Sequence, residues 1–165
     1  MNRLVYCSVI WISVIFPAIS QTQEVAWARI RPLRSTRVDV EKLLGKPTKP
    51  EINLYETDGE KIVVWYSEGT CKQGNANLWN VPRDTVLAIL VSLKQRASVS
   101  DIAVLQSEQF KGKPDQKNPG IIDYTSKDGS VRYQTVILSD GQEDVQFISI
   151  SPSNRDDPLR CRRRT

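Results

Sequence analysis

The chain has 165 residues, of which 39% are hydrophobic and 25% are charged, and its formal net charge is +4. This composition is ordinary for a globular protein, and the length suffices to bury a core. The basic excess is weak and lies partly in Arg160, Arg162, Arg163 and Arg164, so it does not indicate a nucleic-acid-binding surface. The chain has no histidine, which excludes Ser-His-Asp and Cys-His catalysis and the usual histidine-containing zinc sites.

The first twenty residues have the pattern of a signal peptide. Arg3 precedes an apolar run from residue 4 to residue 19. The run ends in Ala18-Ile19-Ser20, a small-x-small pattern of the kind that signal peptidases cleave. We therefore expect residues 1–20 to be removed and residues 21–165 to work in the periplasm or outside the cell. The alternative is an uncleaved N-terminal anchor, although about 16 apolar residues are few for a bilayer span.

The chain has three cysteines, and one of them, Cys7, lies in the predicted signal peptide. Tyr6 is too large for the position before a lipidated cysteine, so we do not expect a lipoprotein. Export would leave Cys71 and Cys161 as an even pair in an oxidising space, where disulfides persist. We predict that these two cysteines are bonded; the alternative is two separate buried thiols.

A short helix is the first element that the sequence predicts after the leader. Thr36 is a favourable N-cap, and Asp39 three residues later completes a capping-box-like arrangement. Gly45 and the proline two residues after it end the helix. These signals predict a helix over residues 37–44. Its apolar face carries Val40, Leu43 and Leu44.

Three strands are expected after the helix. Residues 52–56 and 61–67 flank Thr57-Asp58-Gly59-Glu60, which is a hairpin signal, and residues 86–93 form a third apolar run. The run 61–67 is apolar at consecutive positions, which favours a central strand covered on both sides, with Trp65 in the core. A Gly- and Asn-rich loop separates this run from the third strand.

The second half repeats these signals. Residues 98–110 have weak helical or turn character, Gly112-Lys113-Pro114 matches Gly45-Lys46-Pro47, and three further strands follow, at 121–124, 131–138 and 145–150. This order favours an old duplication, with half-repeats at 33–95 and 98–152 and a polar basic tail at 153–165. The alternative is a chance match of common turn motifs. We predict one exported α+β domain, a short helix plus a three-stranded antiparallel meander, duplicated, with one disulfide.

This order of elements resembles the SmpA/OmlA family of outer-membrane assembly lipoproteins. The motif that carries the resemblance is Leu44-Gly45-Lys46-Pro47, which ends the helix. The β-lactamase inhibitor protein is similar in carrying two such units in tandem. The resemblance implies a helix-plus-meander fold and a role in envelope assembly. The whole chain also looks like a group of exported bacterial proteins, a resemblance that implies no activity. The motifs that carry it are Ser35-Thr36-Arg37, Trp79-Asn80-Val81-Pro82 and Leu159-Arg160-Cys161.

The sequence offers little catalytic or metal-binding chemistry. It has no glycine-rich phosphate loop and no Gly-x-Ser-x-Gly motif. Asp140, Glu143 and Asp144 lack EF-hand spacing, so a solvated hairpin turn is favoured over a calcium site. A histidine-free hydrolase would need two facing carboxylates, and the available aspartates are Asp84, Asp101, Asp115 and Asp123. We predict no enzyme activity, no catalytic or metal site and no cofactor.

The candidate partner-binding residues are Trp79, Asn80 and Arg83 in the loop, with Arg132 and Tyr133 in the sheet. Exposed loop aromatics can anchor a partner, and Trp79 can equally plug the end of a sheet. We predict a non-enzymatic binding or envelope-assembly module with an unidentified envelope protein as partner. We expect no nucleic acid, and membrane contact only through the basic C-terminal tail. The alternatives are a secreted inhibitor of an envelope enzyme and the hydrolase.

Overall fold

A computed structural model describes residues 27–71 and 79–161. Within them it has one α-helix and seven strands: α1 (Arg37–Leu44), β1 (Leu54–Glu56), β2 (Glu60–Tyr66), β3 (Val86–Leu93), β4 (Phe110–Pro114), β5 (Ile121–Ser126), β6 (Val131–Ile137) and β7 (Glu143–Ile150). Short 3-10 helices cover Pro50–Ile52, Val99–Asp101, Ala103–Gln106 and Asn154–Leu159. The predicted signal peptide and the last four residues of the basic tail lie outside the described residues.

All seven strands belong to one antiparallel sheet with the order β1-β2-β3-β7-β6-β5-β4. The two halves of the chain meet where β3 pairs with β7. Ile89 lies opposite Ile150 at this seam, and Val91 lies opposite Ile148. The first three strands and the last four therefore form one continuous surface, with β1 and β4 at its edges.

The predicted α+β fold of two helix-plus-meander units is wrong. The second half has four strands, and residues 98–110 contain only short 3-10 turns before the start of β4. Gly112-Lys113-Pro114 lies inside β4, whereas Gly45-Lys46-Pro47 follows the helix. The ring of Tyr124 occupies the place of a side chain at Gly112, with its Cε1 2.8 Å from where a Cβ would lie. The two motifs share residue types but have different structural roles, which removes the main argument for a duplication.

Local signals form the helix α1 as predicted. Thr36 and Asp39 make a complete capping box, in which the Thr36 N–H donates to the Asp39 carboxylate at 2.8 Å. These hydrogen bonds from Thr36 hold the pKa of Asp39 below its usual value. Gly45 ends the helix with φ of 79°. Val40 is fully buried, but Leu43 is 46% exposed, so the apolar face is narrower than predicted.

The main core lies between one face of the sheet, here called the core face, and the segments that precede β1. Ile30 and Val40 from these segments are both fully buried. The sheet residues that they join in the core cluster alternate along the strands: Tyr55, Ile62, Val64, Val86, Ile89, Val91 and Ile150. Full burial of each such side chain stabilises the fold by about 1.5–3 kcal/mol, so this cluster dominates the packing energy.

Arg37 connects α1 to the sheet through three contacts. Its guanidinium pairs with Asp84 at 3.0 Å and donates to the side chain of Asn53 at 2.6 Å. It also lies over the ring of Tyr66, 4.0 Å from the centroid. The Tyr66 hydroxyl is 2.9 Å from that of Tyr55. Burial, followed by this hydrogen bond, raises the pKa of Tyr66 far above its ordinary value.

Cys71 and Cys161 form the predicted pair, with their Cα atoms 5.5 Å apart and a sequence separation of 90. The pair joins the loop after β2 to the segment after β7, across both halves of the chain. A disulfide is typical of an oxidising compartment. The α-helix of the described residues has eight residues, and none of their helices is long and apolar enough to cross a membrane.

Candidate functional site

Trp79 is a buried residue that packs near Leu87, the second residue of β3. It is 8% exposed and packs with Leu33 and Val81 in a second buried cluster, against which Leu159 also packs. The guanidinium of Arg160 lies over its ring, 4.6 Å from the centroid. The indole is therefore a structural contact between the loop and the C-terminal segment, and it presents little surface to a partner.

Asn80 and Arg83 are both exposed in the same loop. The backbone N–H of Asn80 donates to the carbonyl of Leu159 at 2.7 Å. The Arg83 guanidinium donates to the carbonyl of Glu68 at 3.3 Å. These contacts hold the loop against neighbouring backbone and leave both side chains at the surface.

Arg132 and Tyr133 are consecutive residues of β6, so their side chains point to opposite faces of the sheet. Tyr133 is on the core face, where its ring meets Phe110 edge-on with centroids 5.4 Å apart, and burial raises its pKa. Arg132 is on the other face and lies 3.9 Å from Asp123. The structure therefore does not combine the five candidate residues into one surface.

The face opposite the core face is here called the open face, and the strand registers identify the residues that lie on it. One cross-strand row on it contains Leu54, Val63, Leu90, Ser149, Arg132, Thr125 and Lys111. A second row contains Glu56, Lys61, Ser92, Phe147, Gln134, Asp123 and Lys113. Apart from Leu54 these residues are half-buried or exposed. At the β1–β3 end the first row is apolar and the second row is polar or charged, whereas at β4 both rows end in a lysine.

The apolar end of the open face is centred on Trp65, and we call it the apolar strip: Leu54, Val63, Trp65, Ala88 and Leu90. Trp65 is 46% exposed, so the prediction that it lies in the core is wrong. Strand alternation directs Ile62 and Val64 into the core and Val63 and Trp65 to the opposite face. In the consecutive apolar run this alternation is not visible, so the sequence gives no signal that Trp65 is exposed and a candidate binding residue.

The basic end of the open face contains a groove of about 500 Å³. Its basic lining residues are Lys113, Lys117 and Arg132. Two carboxylates also line it, and both have partners. Asp115 accepts the backbone N–H of Lys117 at 2.9 Å, and Asp123 accepts from the side chain of Gln134 at 3.2 Å. Asp123 also lies 3.9 Å from Arg132, and three cationic against two anionic side chains leave the groove with a small positive charge.

Glu143 and Asp144 do not converge on a common site. They are consecutive in β7 and point to opposite faces. Glu143 accepts hydrogen bonds from Thr135 and from Tyr124, whereas Asp144 pairs with Arg96. Across residues 27–71 and 79–161, no group of three or more Cys, Asp or Glu side chains is arranged to hold a metal ion.

Of the four aspartates considered for a hydrolase, Asp115 and Asp123 line the same groove, and Asp84 and Asp101 lie elsewhere. Asp84 pairs with Arg37 before β3, and Asp101 is in a 3-10 turn. Asp115 caps the β4–β5 loop, and Asp123 is in β5 beside Arg132. Within the groove that they share, Asp115 accepts a backbone N–H, whereas Asp123 accepts from the side chain of Gln134 and lies near Arg132.

Comparisons with protein families, with curated proteins and with solved structures found no match.

Proposed function

We propose that the protein is an exported, non-enzymatic binding or assembly module that holds an envelope protein against its apolar strip. The observation that carries this proposal is Trp65, 46% exposed on a sheet face whose neighbouring positions are also apolar. A large aromatic side chain on such a surface is the kind of anchor that protein interfaces use.

The surroundings of the apolar strip favour a protein partner. Val63, Leu90 and Ala88 lie next to Trp65 on the open face, and their half-buried side chains could be covered completely by a docking surface. Polar and charged residues of the second row, such as Lys61 and Ser92, border the strip. An apolar centre with a polar rim is the usual arrangement of a protein interface.

Export is part of the proposal and has two supports. The disulfide pair fits an oxidising compartment, and the leader pattern of residues 1–20 fits secretion with cleavage after Ser20. Contact of the basic tail with a membrane stays a prediction, because its last residues lie outside the described part of the chain. The resemblance to the SmpA/OmlA family also stays a prediction, since no matched protein tests it.

The alternative of a secreted inhibitor loses its argument. It depended on a tandem of two helix-plus-meander units, and the fold is one sheet with unlike halves. The hydrolase needs two facing carboxylates, and the two aspartates that share a groove, Asp115 and Asp123, already have other hydrogen-bond or ion-pair partners, so the observations favour it less. Of the three functions considered, a binding module is the one that the open face supports best.

Chemical crosslinking in cells tests the proposal, with Trp65→Ser as the variant and Val38→Ser as its matched control. Val38 is 74% exposed on α1, away from the open face. We expect one reproducible envelope protein to be crosslinked to the wild type and to V38S, and to be lost from W65S. Equal recovery with W65S would contradict docking at the apolar strip, and recovery of cytoplasmic proteins alone would contradict export.

A further inference from the structure

The outer edge of β4 presents unused backbone groups. Gln109 accepts the N–H of Lys127, and Asp115 donates to the carbonyl of Ile121, so odd-numbered residues of this strand pair with β5. The even-numbered residues therefore turn their backbone groups outward. Gly112 offers both its N–H and its C=O at this edge. Phe110 and Pro114 offer their carbonyls, because the Phe110 N–H is bonded to Ser107 and proline has none.

Basic side chains flank this edge on the open face. Lys111 and Lys113 are both exposed, and they lie two residues apart on the same side of β4. Neither forms an ion pair with the described residues. Lys117 continues the positive charge into the adjacent groove of about 500 Å³, which Arg132 also lines beside Asp123 and which Asp115 lines as a second carboxylate.

The opposite edge of the sheet offers no comparable row of backbone groups. The N–H of Thr48 donates to the carbonyl of Leu54 at 2.7 Å, and the N–H of Leu54 donates to the carbonyl of Lys49 at 3.1 Å. The segment before β1 thus occupies its outer side. Of the two edge strands, β4 is the one whose backbone can accept another strand.

We propose that β4 binds an extended acidic segment of another protein as an eighth strand of the sheet. Its acidic side chains would recur at every second residue and face Lys111 and Lys113, with the groove beside Lys113 taking the outermost one. A second copy of this chain is a poor occupant, because β4 placed beside β4 would oppose lysines to lysines. Gly112 supplies the two central backbone hydrogen bonds, and Pro114 limits the added strand to a short pairing.

This edge is five strands away from β2, which carries Trp65. Binding at β4 can therefore succeed or fail independently of docking at the apolar strip, and the two are tested with different variants.

Fluorescence anisotropy of labelled peptides on the purified, oxidised protein tests the proposal. The probe is a peptide in which glutamate alternates with threonine. The comparison peptides replace glutamate by lysine, group the glutamates at one end, or carry N-methyl groups on alternate backbone nitrogens. The protein variants are K111E/K113E and a matched charge control, K46E/K49E, whose lysines are exposed near α1.

We expect the alternating acidic peptide to bind the wild type and the K46E/K49E control. Its affinity should fall about tenfold or more for K111E/K113E, since two attractive charge pairs become repulsive. The lysine peptide, the grouped peptide and the N-methylated peptide should each bind more weakly. Absence of binding, equal loss in the two charge variants, or full binding of the N-methylated peptide would overturn the proposal, the last because charge attraction alone needs no backbone donors.

Discussion

Gly112 occupies a strand position that a larger residue cannot fill unless Tyr124 moves. A Cβ at Gly112 would lie 2.8 Å from Cε1 of Tyr124, whereas one at Gly59 would have no atom within 4 Å. We expect Gly112→Ala to lower the free energy of unfolding by about 1 kcal/mol, the lower end of the range for overpacking, because Gly112 is exposed and Tyr124 is half-buried. Gly59→Ala, the control, should leave it almost unchanged. Urea denaturation measures both, and equal midpoints for the two variants would contradict the packing of Tyr124 on Gly112.

Asp128 gives the stability of the β5–β6 hairpin a pH dependence. Partial burial alone would raise the pKa of Asp128, but hydrogen bonds from Ser130 and Ser126 outweigh it and hold the pKa below its ordinary value of 3.8. The Ser130 hydroxyl lies 2.6 Å from the carboxylate, and the residue is 1% exposed. A carboxylate whose pKa falls on folding stabilises the protein above the unfolded-state pKa, and this contribution disappears as the pH falls through the folded-state pKa.

We therefore expect the wild type to lose stability as the pH falls from about 5 toward 2, where aspartates are protonated. Asp128→Asn should be less stable at neutral pH and should lose less on acidification. Asp39, whose pKa is also lowered, contributes to the acid loss of both proteins. Urea midpoints measured across this pH range test the difference. Parallel profiles for the two proteins would show that Asp128 does not contribute.

Residues whose environment is set by near neighbours in sequence could be predicted, and others could not. The capping box of Thr36 and Asp39 spans four consecutive residues, so the pattern alone predicted it. The sequence predicts a buried Trp65 because Val63, Val64 and Trp65 are all apolar, and only the pairing with β3 decides which of them face outward. The partner-binding candidates failed to converge for a similar reason, since Arg132 and Tyr133 are adjacent in sequence but lie on opposite faces.

At the scale of elements, the docking of α1 depends on the three contacts that the guanidinium of Arg37 makes. The guanidinium reaches Asp84, Asn53 and the ring of Tyr66 together, which a lysine ammonium cannot do. Because these groups are partly exposed, we expect Arg37→Lys to cost only about 1 kcal/mol of unfolding free energy.

A double-mutant cycle with Asp84→Ala tests whether the cost of Arg37→Lys comes from the lost guanidinium contacts. The cost of Arg37→Lys should shrink when Asp84 is absent, since one of the three contacts is then already lost. Lys42→Arg, a change on the exposed side of the same helix, serves as a control for the helix propensities of the two residue types. Strict additivity of the Arg37 and Asp84 substitutions would contradict the coupling.

The helix and most strands could be predicted because each follows local patterns of polarity and turns. The prediction over residues 37–44 matches α1, and the second-half runs match β5, β6 and β7 closely. The strand β4 was missed, because a glycine and a proline in five residues resemble a turn when read alone. The ring of Tyr124 covers Gly112, and the edge position tolerates Pro114, whose missing N–H no neighbouring strand needs; both are tertiary features. The β3–β7 seam joins distant residues such as Ile89 and Ile150, which no local pattern indicates.

At the scale of the whole molecule, Cys71–Cys161 links the two halves of the chain. The loop it closes spans 90 residues, and in the chain-entropy model such a crosslink stabilises a protein by about 4 kcal/mol. We expect the double substitution Cys71→Ser/Cys161→Ser to lower the unfolding free energy by about 2–4 kcal/mol. Thiol titration of the native, exported protein should find no free thiol. Two reactive thiols, or a serine variant as stable as the wild type, would contradict a structural disulfide.

The sheet as a whole has one packed face and one open face, and the open face is not uniform. The apolar strip around Trp65 and the basic groove beside β4 are at opposite ends of the same surface. This polarity comes from the joining of two unlike halves at the β3–β7 seam. The open face therefore offers one candidate binding surface at each of its two ends.

A photo-crosslinking amino acid at position 65, compared with one at position 38, tests the central claim most directly. Both positions are exposed, at 46% and 74%, but only the first lies on the open face. The account predicts that irradiation of cells links position 65 to one envelope protein, with little or no adduct from position 38. No adduct from position 65, or the same adducts from both positions, would contradict a binding role for the open face.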